Sequence, residues 1–351
     1  MSDTTPALTT VDPCRDAAWA DLVAAGNGSV FVSPPWLRAI EATYDLKLQA
    51  RVRNGVGGEP AIGMAYCELD DVMGRRIVST PYCDFSDPVA VEGAPSGAPL
   101  LDELLRFDGP VRLRVLESPF PLDDERLTEL GSDFWHGVGL QRDLDEMQKS
   151  LGSTANRNIR KARNNGVAVR FGSGEADVDA FFALHQKTRR AKHGMLAQPR
   201  RFFHEIAAAF APTDGLHVAL AELDGVPIAG IFLLEWNGRA YYKFNASDPE
   251  ALAVRPNDLL MWESMRWASE RGNDLLDLGL SDADQPGLIR YKRKFATAES
   301  TVTTYTAGPR RTAQATELGP VFGELTKLLC DERVPLDVAE RAGNILYRYF
   351  T

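Results

Sequence analysis

Two dipeptides, Asp224-Gly225 and Asn237-Gly238, constrain the fold of this chain more than any other feature. Each is a two-residue turn in which the central positions adopt positive φ, and each sits between runs that read as strands: LHVALAEL, VPIAGIFLLEW and RAYYKFNAS. The spacing therefore predicts three consecutive antiparallel strands over residues 216–247. Helical periodicity flanks them. DVDAFFALHQKTRRAKHG ends on Gly194 with cations in its last turns, PRRFFHEIAAAFA follows, and PNDLLMWESMRWASERG runs from Asn257 to Gly272. DLLDLGLS reads as a short apolar strand, GLIRYKRKF as a short helix and STVTTYTA as a last strand. Upstream, Ser153 is placed to cap a helix running to Asn164, and GVAVRFG follows as a strand. The fold class is α/β in the α+β sense: mixed, mainly antiparallel sheets flanked by helices.

The first half is less regular. VSPPWLRAIEATY predicts a helix capped by Ser33 with prolines in its first turn, LKLQARVR and EPAIGMAYCEL predict strands, and VRLRVLES alternates as a strand. A chain of 351 residues exceeds what one core sustains, and composition shifts near residue 150. Residues 1–150 carry 25 acids and 13 bases, whereas 151–351 carry 24 acids and 26 bases. Two domains are expected, 1–150 and 151–351.

The charge distribution raises a question about partners. The chain has a formal charge of −10, yet residues 157–201 hold eleven bases against three acids. Arg157, Arg160, Lys161 and Asn164 recur at i, i+3, i+4 and i+7, so they share one helix face, with Ile159 and Ala162 turned the other way. A local cationic block in an acidic protein suits a phosphate-bearing partner, although a solvated helix surface reads the same way from charge alone. Arg163 to Ala168 spells R-x-x-G-x-A, but it leaves a helix and enters a strand. A pyrophosphate-gripping loop does the reverse, opening a helix with its free N–H groups.

The element order resembles the acetyltransferase (GNAT) fold, and the residues resemble one branch of it, the Fem family of aminoacyl-transfer-RNA-dependent peptidyltransferases, whose members repeat the fold twice. The stretches carrying the resemblance are Arg157-x-x-Arg160-Lys161-Ala162-x-x-x-Gly166-Val167, Arg189 to His193-Gly194, DGVPIAGIFLL, YYKFNAS, RPNDLLMWESMRWASERGNDLLDLGLS and GLIRYKRKF. FVSPPWLRAI and STPYCDFSDP add to it in the first half, so it spans about residues 30–306. The coiled-coil arm of some family members has no counterpart. The resemblance implies tandem GNAT-like domains, the transfer of an amino acid from aminoacyl-tRNA to an amine, or less readily a hydroxyl, of a peptidoglycan precursor or peptide-like metabolite, and no cofactor beyond that co-substrate. Two alternatives stay open: a GNAT N-acyltransferase using acetyl-CoA or another acyl-CoA, and a non-catalytic RNA-binding protein. The stretch where a coenzyme loop belongs, SDPEALAVRP at residues 247–256, has no glycine and carries Asp248 and Glu250, which repel phosphates.

An aminoacyl ester is already activated, so the site must hold an amine, accept its proton and stabilise an oxyanion. By resemblance Lys292 is the cation that stabilises the oxyanion or holds a phosphate, with Tyr291 in the family's Phe place. Asp277 and Ser281 end a short central strand, a usual position for site residues in open sheets. Asp84 resembles an acceptor-holding turn residue. Arg189 and His193 lie one helical turn apart, and Tyr242 faces a pocket or the core. Arg157, Arg160, Lys161 and Arg163 are the tRNA-binding candidates. No metal pair is spaced for ligation among the histidines, and His136 has no partner legible in the sequence. Four scattered cysteines without a C-x-x-C, no apolar run of membrane length and no leader pattern in MSDTTPALTT suggest a cytoplasmic protein.

Overall fold

The computed structural model describes residues 8–26, 28–120 and 122–351. The first seven residues, read above for a leader pattern, lie outside the described residues. In chain order the strands are β1 (Thr9–Val11), β2 (Leu48–Asn54), β3 (Pro60–Leu69), β4 (Arg76–Ser79), β5 (Val89–Ala90), β6 (Val111–Val115), β7 (Thr128–Gly139), β8 (Ala168–Gly172), β9 (Leu216–Leu223), β10 (Val226–Trp236), β11 (Arg239–Ser247), β12 (Leu275–Ser281) and β13 (Ala298–Ala307). The helices are α1 (Ala17–Ala25), α2 (Pro34–Tyr44), α3 (Ala98–Leu104), α4 (Leu144–Ser150), α5 (Ser153–Asn164), α6 (Glu175–His193), α7 (Arg200–Phe210), α8 (Pro256–Glu270), α9 (Pro286–Lys292), α10 (Ala313–Leu329) and α11 (Leu336–Leu346). The chain packs as two compact units. One runs to Asp133 and includes Thr301–Phe322 and Tyr349–Thr351; the other is Phe134–Ser300 with Gly323–Arg348.

In the first unit the strand order is β1-β2-β3-β4-β6-β13, with β5 on β3. All these pairs are antiparallel except β4 with β6, which run parallel through Ile77↔Val111 and Val78↔Arg112. Alternation along β6 sends Val111, Leu113 and Val115 into a core with Ile62, Met64 and the leucines Leu100, Leu101 and Leu104 of α3. Arg112 and Arg114 therefore leave by the other face. Helix α2 is built as its sequence predicts: the Ser33 hydroxyl accepts from the Trp36 N–H at 3.4 Å, and prolines occupy its first turn.

The second unit orders its strands β7-β12-β11-β10-β9-β8. The Asp224-Gly225 and Asn237-Gly238 turns join β9, β10 and β11, with Asp224 and Asn237 both at positive φ. Residues on alternate sides of β10 and β11 serve two cores. Ile231, Leu233 and Tyr242 pack with Ile159 and Ala162 of α5 and with Leu259, Leu260 and Met261 of α8. Phe232 and Phe244 turn the other way, against Phe181 of α6 and Phe203 of α7, with ring centroids between 5.1 and 6.1 Å apart in this group. Helix α6 stops at Gly194, left-handed at φ 58°, whose N–H closes on the carbonyls of Arg189 and Arg190. Helix α5 corrects one expectation. Gly152 precedes its first turn, and Ser153 is its first helical residue without a capping bond.

The units repeat one order of elements. Apart from β5, which lies between β4 and α3 without a counterpart, β1-α1-α2-β2-β3-β4-α3-β6 in the first matches β8-α6-α7-β9-β10-β11-α8-β12 in the second, and each ends in a parallel strand pair. This is the tandem arrangement expected from the sequence. No described helix is long and apolar enough to cross a membrane.

Candidate functional site

In the second unit β11 and β12 run parallel, but they pair over three residues each: Arg239↔Leu275, Ala240↔Leu276 and Tyr241↔Asp277. Beyond that point β11 continues on β10 to Ser247, while β12 continues on β7 through Leu280↔Trp135 and Ser281↔Phe134. The two strands part at Asp277, opening a crevice at their C-terminal ends, where open sheets bind ligands.

The far wall of this crevice is a broken strand. Gly279 sits at φ 69°, in the left-handed region that glycine enters without strain, and the β12–β7 register shifts between Asp277 and Leu280. Asp277, 4% exposed, accepts the Gly279 N–H at 2.6 Å. Lys292, from the end of α9 and 3% exposed, donates its ammonium to the carbonyls of Gly279 at 3.0 Å and Leu280 at 2.7 Å. Ser281 is buried, and its Oγ has no hydrogen-bond partner among the described residues. Asp277, Ser281 and Lys292 thus converge on one seven-residue strand. Tyr291 joins them from the same helix: its hydroxyl donates to the Asn257 carbonyl at 2.8 Å, and burial, with Tyr242 and Asp258 nearby, raises its pKa well above the phenol's ordinary value. Burial likewise raises that of Tyr242.

A residue that the sequence left without a partner belongs here. His136 on β7 is fully buried, with Nε2 2.9 Å from Glu299 Oε2. Burial foremost, and then the positive field of Lys292, lowers its pKa and favours the neutral imidazole. The neighbours lie more than 150 residues away in sequence, and β7 carries no apolar alternation, so no local signal marked it.

The cationic block divides once it is folded. Arg163 pairs with Glu263 at 2.9 Å, Arg170 with Glu222 at 2.7 Å and also with Asp177, and Arg201 with Glu205 at 3.0 Å; Arg200 pairs with Asp179. Arg189 donates to the Leu196 carbonyl at 3.4 Å, and His193 is exposed at the end of α6. α6 covers the sheet face opposite to α5, so Arg189 and His193 do not join the α5 stripe. On α5, Arg157, Arg160 and Lys161 are exposed and have no acidic partner among the described residues. Their helix is fixed from beneath. Asn158, buried, donates to Asp258 of α8 at 3.3 Å, and Asp258 also takes the ammonium of Lys294. Asp84 lies in the first unit, half-buried in the loop after β4.

The stretch from Ser247 to Pro256 holds no glycine-rich loop. Pro249–Val254 forms a 3₁₀ helix, with Asp248 accepting the Glu250 N–H at 3.0 Å, and α8 begins at Pro256 after Arg255. Among the described residues no group of His, Cys, Asp or Glu could hold a metal ion.

The fold and the parting parallel strands define a GNAT-type architecture, repeated in tandem. Residues 149–293 match the family model described as acetyltransferase (GNAT) domain. The fold is similar to that of FemX, with a TM-score of 0.61 at 13% identity over 91% of this chain and 100% of that one. The C-terminal domain of a putative lysylphosphatidylglycerol synthetase from Agrobacterium fabrum aligns with a TM-score of 0.53 at 14% identity, covering 87% of this chain and 97% of that one. A tandem GNAT protein from the clavulanic acid biosynthesis pathway gives 0.53 at 14% identity, over 86% and 99%. No curated protein matches the sequence.

Proposed function

We propose that this GNAT-type transferase uses aminoacyl-tRNA and moves its amino acid onto the amine of a peptidoglycan precursor or a peptide-like metabolite. The observation that carries the reading is the α5 face. Arg157, Arg160 and Lys161 are exposed, unpaired by any described acid and held on a helix anchored through the buried Asn158–Asp258 contact. Three unneutralised cations on a rigid support suit successive backbone phosphates, the main source of affinity for nucleic acids. The shared fold with FemX and with a putative lysylphosphatidylglycerol synthetase, whose name describes an aminoacylated product, points the same way.

In this reading the acceptor amine attacks the carbonyl carbon of the aminoacyl ester. A C–N bond forms, the C–O bond to the terminal ribose breaks, and the proton lost by the amine balances the one gained by the departing ribose oxygen. Lys292 supplies the positive field for the oxyanion. Asp277 holds the bulge that sets the carbonyls of Gly279 and Leu280 on Lys292, and the unpartnered Ser281 hydroxyl is a donor available to the reacting group. Neutral His136 adds no competing positive charge beside Lys292. Tyr242 and Tyr291 belong to the apolar core that supports the crevice.

The second reading, acyl-CoA-dependent N-acylation, is favoured by the same strand parting and by the family match. A side-by-side assay of charged tRNA and acetyl-CoA against a panel of amines separates them. Amide formation from charged tRNA alone is expected. Turnover with acetyl-CoA and none with charged tRNA overturns the proposal.

A further inference from the structure

A second cationic site lies in the first unit. It is a cavity of about 300 Å³ on the face of the sheet opposite to α3, large enough for a small ligand. Three strands set its floor in one row. Val78 of β4 pairs with Arg112 of β6, and Arg112 pairs with Thr306 of β13, so all three side chains leave the sheet on the same side. Arg76, Arg310 and Arg311 also line it, and among the described residues no Asp or Glu side chain does.

We propose that this cavity binds a small phosphate-bearing anion, a phosphate ester or a pyrophosphate, through Arg112, Arg310, Arg311 and the Thr306 hydroxyl. The inference does not rest on the proposed aminoacyl transfer.

Arg76 is already satisfied. It bridges to Asp71 at 2.9 Å and donates to the Gly74 carbonyl at 2.9 Å and to the Thr351 hydroxyl at 2.7 Å. Arg112, Arg310 and Arg311 have no carboxylate partner among the described residues. Arg112 is half-buried, and its guanidinium pKa is lowered by burial first and then by Arg114, Arg311, Arg76 and Arg310, all of like charge. Such mutual repulsion in a partly desolvated pocket costs stability, and a bound anion relieves it. Thr306 is 5% exposed, and its Oγ1 has no hydrogen-bond partner among the described residues. A buried hydroxyl without a partner is uncommon, and it faces the cavity beside Arg112.

The segment bearing Arg310 and Arg311 is held at both ends. At Gly308 the backbone lies at φ 70°, and a Cβ there would come 2.6 Å from the Gly109 carbonyl, so the turn after β13 requires glycine. At the other end Thr312 bonds the Met73 carbonyl and accepts the Ala315 N–H at 2.9 Å. The two exposed arginines are therefore presented at the cavity mouth. Guanidinium forks match phosphate oxygens in pairs, and a phosphate group brings the near-double negative charge that three unpaired cations call for. The apolar remainder of the lining, Met73, Ile77, Val78 and Ala315, accommodates the organic body of an ester.

The test is calorimetry on the full chain with inorganic pyrophosphate, phenyl phosphate and, as a carboxylate control, succinate. Pyrophosphate, phenyl phosphate or both are expected to bind with a dissociation constant of about 1 mM or tighter, and whichever binds more tightly identifies the ligand type. Succinate is expected to bind at least about tenfold more weakly. Arg310→Gln and Arg311→Gln alter exposed side chains, and each should weaken binding about tenfold or more. Thr306→Val, which keeps shape and removes the hydroxyl, should weaken it as well. The combined substitution of Arg157, Arg160 and Lys161 by Gln should leave it unchanged. The proposal is overturned if neither phosphate probe binds, if succinate binds as tightly, if Arg310→Gln and Arg311→Gln bind like the parent, or if the α5 substitutions abolish binding.

Discussion

The ammonium of Lys292 lies 2.7 Å from the carbonyl oxygen of Leu280, inside the protein rather than on its surface. A cation so placed supports the broken end of β12 and at the same time sets the electrostatic field where β11 and β12 separate. Replacing it separates the two roles. Lys292→Met keeps the stem and leaves the Gly279 and Leu280 carbonyls without that donor, so unfolding free energy should fall by about 1–3 kcal/mol. Turnover should fall by roughly 10²-fold or more if the charge stabilises an oxyanion. Single-turnover rates measured well below the melting transition distinguish the two. Lost stability with unaltered rates would confine Lys292 to a structural role.

The α5 stripe makes a prediction about salt. Converting Arg157, Arg160 and Lys161 to Gln preserves helix propensity and removes three charges. Binding of charged tRNA should weaken, and its logarithmic dependence on salt should flatten by up to about three phosphate contacts' worth of slope. Turnover at saturating RNA should persist. Identical affinities for parent and variant across a salt titration would show that the stripe is merely solvated surface.

His185 provides a pH test. Its ring is buried among Phe181, Phe203 and Phe244, Nε2 meets Gln198 Oε1 at 2.8 Å, and burial foremost pushes its pKa down to about 3. Above the unfolded value of about 6.5 the ring is neutral in both states and contributes no pH dependence. As pH falls below that value the unfolded chain takes up the proton and the folded chain does not, so stability declines until pH approaches about 3. Denaturant melts between pH 7.5 and 5 should show this loss, and His185→Phe should reduce the slope. A His185 ring that titrates near 6.5 in the native NMR spectrum would contradict it.

Two glycines with similar backbones should differ when replaced by alanine. Gly238 and Gly308 have φ of 69° and 70°, but an added Cβ meets nothing within 4 Å at Gly238 and the Gly109 carbonyl at 2.6 Å at Gly308. Gly238→Ala should cost about 1 kcal/mol from the left-handed backbone alone. Gly308→Ala should cost clearly more. Equal losses in thermal denaturation would show that the turn after β13 relaxes freely.

Much of the second unit was legible in sequence because local chemistry and tertiary structure agree there. Asp224-Gly225 and Asn237-Gly238 form their turns, Gly194 closes α6, and the apolar face of α5 is the buried one. β7 was not legible. TELGSDFWHGVG has three glycines and no alternation, and its extended form depends on partners such as β12. His136 was hidden with it. The block of charge in residues 157–201 was visible but overstated, because Glu222 and Glu263, which neutralise Arg170 and Arg163, lie outside it. The burial of Lys292 was equally hidden, since the run Arg290-Tyr-Lys-Arg-Lys294 looks like surface until α9 is laid against the end of β12.

The separation of β11 from β12 also has a mechanical consequence. Past Tyr241 and Asp277 each strand is stitched along one margin, β11 to β10 and β12 to β7. A sheet sewn on one side behaves as a pair of flaps around a seam, and hydrogen–deuterium exchange should find amides facing the seam opening more often than those of β9 and β10 at similar depth. An occupant that supplied backbone-like donors and acceptors would close the seam, so slowed exchange there would report occupancy without reference to turnover.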